Sequence, residues 1–175
     1  METFQSDFLR SAKRQFNYYK DLGEKAIAQI AHEKLFHQVN EDSNSIAIII
    51  QHLHGNMLSR WTNFLSSDGE KEWRKRDEEF ETIIKTKEEL MAKWNEAWQC
   101  LSDAINALKE DDFNKIVYIR NEGHTVIEAI NRQLSHYPYH IGQIIFIAKM
   151  LSDKEWQSLS IPKNRSKHFN QNKFA

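Results

Sequence analysis

The period of its apolar residues constrains this chain more than any other feature. Over residues 3–31, Phe4, Phe8, Ala12, Phe16, Tyr19, Ala26 and Ile30 recur mostly every third or fourth position, which lays one apolar stripe along a helix. The pattern returns in a second segment with Ile46, Ile49, Ile50, Leu53, Met57, Trp61, Phe64 and Leu65. The β-branched start of that segment resembles a buried strand, but the periodic continuation to Leu65 makes it a helix, with Asp42, Ser43, Asn44 and Ser45 as a choice of N-caps. A third helix over 87–109 carries Leu90, Trp94, Trp98, Leu101, Ile105 and Leu108. The fourth, over 124–151, carries Ile127, Ile130, Leu134, Tyr137, Ile141, Ile144, Ala148 and Leu151.

Only five glycines and two prolines interrupt 175 residues, so long helices are favoured over a many-stranded sheet. The expected fold is all-α, a four-helix bundle occupying residues 1–161, followed by a polar, flexible C-terminal tail over 162–175. Asp68-Gly69 is expected to close the second helix with a turn, and a polar connection containing Asp111-Asp112 to lead on to Gly123. The connection between helices two and three is about twenty residues, long for a hairpin between antiparallel neighbours, so it is able to cross the bundle and leave the two parallel.

Charge and cysteine content remove several classes of function. A net charge of −1 provides no basic face for nucleic acid. The single Cys100 excludes a disulfide framework and cysteine-based zinc modules, lies off the main stripe, and has no basic neighbour to activate it. The longest apolar run, residues 46–50, falls far short of the roughly 20 residues of a membrane span, and the acidic N-terminus has no signal-peptide pattern, so a cytoplasmic protein is expected.

Chemistry concentrates in the histidines. His136 and His140 stand at i and i+4, on one helix face and one turn apart, so both rings can reach a single ion. They flank the inward stripe of Leu134, Ile141 and Ile144, where an unpartnered polar group costs about 1–3 kcal/mol. Pro138 between them removes a backbone donor and is expected to bend the helix or free the Leu134 carbonyl. His52, flanked by inward-facing Ile49 and Leu53, is the best third ligand. His54 is turned about 200° around the helix from it, and His124 lies roughly 18 Å along the axis from His136. His32, His37 and His168 read as surface.

Asn56, one turn after His52, and Gln143, one turn after His140, are candidates to orient the rings, and Arg132 is a candidate to meet an anionic substrate. Each of the three is equally readable as ordinary polar helix surface. Arg74 and Arg76 could fold over the bundle mouth, but Asp77, Glu78 and Glu79 beside them favour an internally neutralised solvent loop.

The strings His52-Leu53-His54-Gly55-Asn56, Phe64-Leu65 with Asp68-Gly69-Glu70-Lys71, Trp73-Arg74-Lys75-Arg76-Asp77, and His140-Ile141-Gly142-Gln143-Ile144 carry a family resemblance. Over residues 8–161 the chain resembles the DinB/YfiT-like superfamily of metal-binding four-helix bundles, in one of its bacterial subfamilies. The resemblance implies an up-down-down-up bundle, a divalent ion (nickel or zinc) on His52, His136 and His140 with water completing the shell, and a homodimer. It also implies a small-molecule substrate or a low-molecular-weight thiol as the partner, since relatives hydrolyse substrates or use such thiols to conjugate or isomerise them.

Three protein ligands with an open position are typical of catalytic rather than structural zinc. Such an ion can lower the pKa of water toward about 7 or take up a thiolate, and no strong general base is evident near the histidines. A metal-dependent thiol S-transferase or hydrolase is therefore expected. The alternatives are a non-catalytic, stress-related metal- or ligand-binding bundle, which metal removal should destabilise, and a plain dimerisation bundle without metal.

Overall fold

Each long helix starts where a hydroxyl side chain can take a free backbone N–H. Thr3 accepts from the Ser6 amide at the start of α1 (Phe4–Ile27), and Ser45 accepts from the Ile48 amide at the start of α2 (Ile46–Trp61). Thr86 with Glu89 opens α3 (Lys87–Ala107) as a reciprocal capping box, and Thr125 with Glu128 does the same for α4 (Val126–Leu151). A short α5 (Ser166–Phe174) follows. The computed structural model describes residues 3–81 and 83–174; Met1, Glu2, Thr82 and Ala175, which the sequence assigned to bundle, connection and tail, lie outside the described residues.

The stripes meet as their period requires. α2 packs mainly on α3, and α1 mainly on α4; α4 also touches α2, and α3 also touches α1. Phe16, Leu53, Met57, Leu90, Trp94, Ile130 and Tyr137 are fully enclosed between them. Tyr137 accepts the Trp61 indole N–H at 2.9 Å and donates to Asn56 Oδ1 at 3.2 Å, so the polar ends of these two rings are satisfied inside the core. Gly23 permits a close approach: a Cβ there would stand 2.5 Å from Trp94 Cη2 and 3.0 Å from its Cζ2.

Several expected elements change. The second helix ends at Trp61, four residues before Leu65, and Asn63 takes a left-handed backbone at φ 51°. Asp68-Gly69 therefore does not close it. The presumed polar connection before helix four contains a hairpin, so the protein is mostly helical, consistent with an all-α class, and carries one small antiparallel two-stranded sheet. β1 (Ile116–Ile119) pairs with β2 (Glu122–Thr125) in register Ile116↔Thr125 through Ile119↔Glu122. Arg120 and Asn121 form its two-residue turn, both at positive φ (56° and 61°), a geometry that matches strand twist but is unusual for arginine.

Asp68 explains why that turn is tolerated. Its carboxylate accepts the Arg120 amide at 2.8 Å, the Asn121 amide at 2.7 Å and the Glu70 amide at 2.6 Å. Burial opposes its charge, but these backbone donors hold Asp68 below the usual carboxylate range. Gly69 N–H bonds to the Tyr118 carbonyl at 2.7 Å, which ties the hairpin to the segment following α2. The tail is also more regular than expected, because its residues 166–174 are helical.

Candidate metal centre

Local helix geometry brings three imidazoles to one point. His136 and His140 stand one turn apart on α4, each followed by a fully buried residue, Tyr137 and Ile141. His52 comes from α2, in the buried run from Ile49 to Leu53. Its Nε2 lies 3.4 Å from His136 Nε2, which lies 3.0 Å from His140 Nε2, and ligand atoms of the three residues lie within 4.8 Å of one another. Ligands at about 2.0–2.1 Å from a tetrahedral ion stand about 3.4 Å apart, so the spacing suits a shared metal. α4 continues as helix through Pro138.

The other ring nitrogens are all engaged. His52 Nδ1 is 2.9 Å from Glu79 Oε2, His136 Nδ1 is 3.3 Å from Gln133 Oε1, and His140 Nδ1 is 2.8 Å from Gln143 Oε1. An oxygen acceptor at each Nδ1 fixes the proton there and leaves every Nε2 lone pair pointing inward. Burial, reinforced by the neighbouring imidazoles, pulls His136 down to about 3. Burial likewise pulls His140 down to about 4, against the Gln143 bond that favours its charged form. Neutral rings with lone pairs this close repel unless a cation joins them. The donor set therefore fits a divalent ion.

The charged connection supports the site instead of lying in solvent. Buried Gln51 donates its amide to the carbonyls of Glu78 (2.9 Å), Glu79 (3.0 Å) and Glu81 (3.0 Å), which fixes a 3₁₀ turn over residues 77–80 against α2. That turn places Glu79 beside His52 and Phe80 flat on its ring, at 5.1 Å between centroids. Arg74 has only 2% of its side chain exposed and donates to Glu79 through Nε (2.7 Å) and Nη2 (2.9 Å). The expected solvent loop is corrected in part: Arg74 and Glu79 pair inward and are buried, whereas Lys75 with Glu78 and Arg76 with Asp77 pair at the exposed surface. Burial opposes the Glu79 charge, but Arg74 and His52 together hold its carboxyl below the usual range. The site thus has an ionised carboxylate that the sequence did not place there, bonded to a ring rather than facing the cleft as a free base.

The three imidazoles open into a cleft of about 460 Å³, which Asn56, Arg76, Arg132, Tyr139 and Gln143 also line. Gln143 faces His140, its Oε1 2.8 Å from the ring Nδ1. Asn56 faces the cleft, but its side-chain oxygen serves Tyr137. Arg132 lines the cleft with no imidazole contact. Gln133, a residue not anticipated, is 2% exposed and mirrors Gln143: the run from Gln133 to Gln143 reads Gln-x₂-His-x₃-His-x₂-Gln, a symmetry visible in the sequence. Among the remaining histidines, His54 pairs with Glu96 of α3 at 2.7 Å, and His124 belongs to β2. Cys100 is half-buried against Thr62 Oγ1 at 3.7 Å, and burial pushes its thiol up, so it is no nucleophile for this site.

The model of a family described as "Protein of unknown function (DUF1572)" matches residues 3–165, most of the chain, and the chain belongs to that family. No curated protein and no solved structure matches it. Among the described residues, no helix is long and apolar enough to cross a membrane.

Proposed function

We propose that this DUF1572 protein is a metal-dependent enzyme of the DinB/YfiT-like kind, holding one nickel or zinc ion on His52, His136 and His140 and acting on a small molecule by thiol transfer or hydrolysis. The fold belonging to this reading is a four-helix bundle, up-down-down-up, with its long connection between helices two and three. The closed circuit of neighbours, α1 to α4 to α2 to α3 and back, supports it.

One observation carries the reading: three Nε2 atoms converge while each Nδ1 is occupied by an oxygen of Glu79, Gln133 or Gln143. Purely structural zinc is normally closed by four protein ligands, whereas this triad faces an open cleft. When bound, the ion would supply Lewis-acid chemistry. The chain's own residues orient and shield: Glu79 and the two glutamines fix the rings, and Phe80 covers one side of His52. The residues lining the cleft include no cysteine, so a thiol nucleophile would arrive as a substrate.

The test is elemental analysis of tag-free protein, followed by assays against one panel of low-molecular-weight thiols with electrophiles and another of small esters and amides. About one nickel or zinc per chain, with turnover that His136→Ala abolishes, is expected. Full occupancy with no turnover on either panel rejects the enzyme reading, and absence of bound metal rejects the centre itself.

A further inference from the structure

The charge around the cleft is out of balance. Five arginines line it: Arg60, Arg74, Arg76, Arg120 and Arg132. Glu70 serves three of them through one oxygen, Oε2, which accepts from Arg60 Nη2 (3.3 Å), Arg74 Nη1 (3.2 Å) and Arg120 Nε (3.3 Å). Glu79 is divided between Arg74 and His52. Arg76 approaches only the fully exposed Asp77, at 3.8 Å, a surface pair of little strength. Among the described residues Arg132 has neither an ion-pair nor a hydrogen-bond partner. Among the described residues no carboxylate lines the cleft itself.

Three neutral imidazoles would leave the charge of a divalent ion uncompensated as well, and this inference rests on that reading of the triad. A concave site with positive charge on its floor and rim attracts an oxyanion, and guanidinium groups are suited to bind one bidentately. Arg76 is placed for it: its guanidinium lies 5.2 Å over the Phe80 ring, and Phe80 stacks on His52, so the rim cation and the metal ligand share one stack. Arg132 stands on α4 one turn before His136.

The geometry points to an anionic substrate for this cleft, a small molecule whose carboxylate or phosphate group is bound by Arg76 and Arg132 beside the imidazole triad. Arg60, Arg74 and Arg120 are partly committed to Glu70 and Glu79 and form the fixed positive background.

The experiment is calorimetric titration of inorganic phosphate, succinate and uncharged succinamide into the metal-loaded and the metal-free protein, with metal content measured on every sample. The same titrations are run on Arg76→Gln and Arg132→Gln, both at exposed positions. One or both anions should bind, succinamide should not, and each variant should weaken anion binding by about tenfold or more in both metal states. The preferred anion identifies carboxylate or phosphate as the natural group. Binding of neither anion overturns the inference, as does anion binding that both variants leave unchanged, which would place the anion on the ion alone. A protein without metal whose anion binding depends on these arginines would refute the metal reading while leaving the anion site in place.

Discussion

Replacing Glu79 by glutamine removes one charge from the point where the charged connection meets the imidazole triad. In the parent its Oε2 accepts from His52 Nδ1 and Arg74 Nη2, both at 2.9 Å, and its Oε1 accepts from Arg74 Nε at 2.7 Å. An amide presents an N–H to one of these donors whichever way it turns. Two effects follow. Losing the partner that orients a ligating histidine typically weakens metal binding by about 10–100-fold, roughly 1.4–2.7 kcal/mol. Leaving Arg74 buried with only a third share in Glu70 costs the fold about 3–5 kcal/mol, which for a domain of this size lowers Tm by about 6–20 °C.

The two effects are measured separately. Zinc affinity comes from competition with a chromophoric chelator at pH 7.5, and fold stability from thermal melts of the metal-free protein followed by circular dichroism. Glu79→Gln should show both losses. A folded Glu79→Gln protein whose zinc affinity stays within about twofold of the parent would refute the orienting role. If the variant fails to fold, Gln143→Leu tests the same logic at His140 without stranding a charge, and should also lose about 10–100-fold in zinc affinity.

Gly55→Ala should improve helix propensity by about 1 kcal/mol and yet weaken metal binding, since its new Cβ would stand 2.6 Å from Glu79 Cδ and displace that carboxylate; unchanged chelator competition would contradict this. In the metal-free protein His136 and His140 sit at about 3 and about 4, below the roughly 6.5 of an unfolded chain, so the unfolded state binds more protons between those values. Their contribution to stability is therefore present above pH 6.5 and is lost as pH falls toward 4. Urea midpoints at pH 7.5 and 5.0 should differ in that direction, with a smaller difference in His136→Gln; equal midpoints would refute it. Asp68→Asn should destabilise the protein by about 1–3 kcal/mol without changing metal affinity, because it removes one acceptor from the Arg120–Asn121 turn, whose backbone bonds to Asp68 and not to an imidazole. Coupled loss of zinc in that variant would contradict this, since it would make the turn's backbone geometry necessary for holding the ion.

What could be read from the sequence depended on whether the signal was local. The long helices follow from apolar period and hydroxyl caps, both within one turn of chain, and the His136–His140 pair and Gln143 follow from helical spacing alone. His52 was identified because its neighbours mark the inward face of its own helix. Gln133, as far before His136 as Gln143 is after His140, was readable through the symmetry about Pro138 and was passed over in favour of its neighbour Arg132. The hairpin was hidden by a turn whose Arg120 backbone is supported by Asp68, 52 residues earlier in sequence. Glu79 and Arg74 were misassigned to solvent for a similar reason. Nothing in an alternating charge run indicates that Gln51, on another element, will bind three of its carbonyls and turn its ion pairs inward.

X-ray absorption at the metal edge of zinc- or nickel-loaded protein tests the central claim most directly. It should find three imidazole nitrogens at about 2.0–2.1 Å and no sulfur, with the imidazole scattering reduced when His52 is replaced by alanine. A shell containing Cys100 sulfur, or one that His52→Ala leaves unchanged, would contradict it.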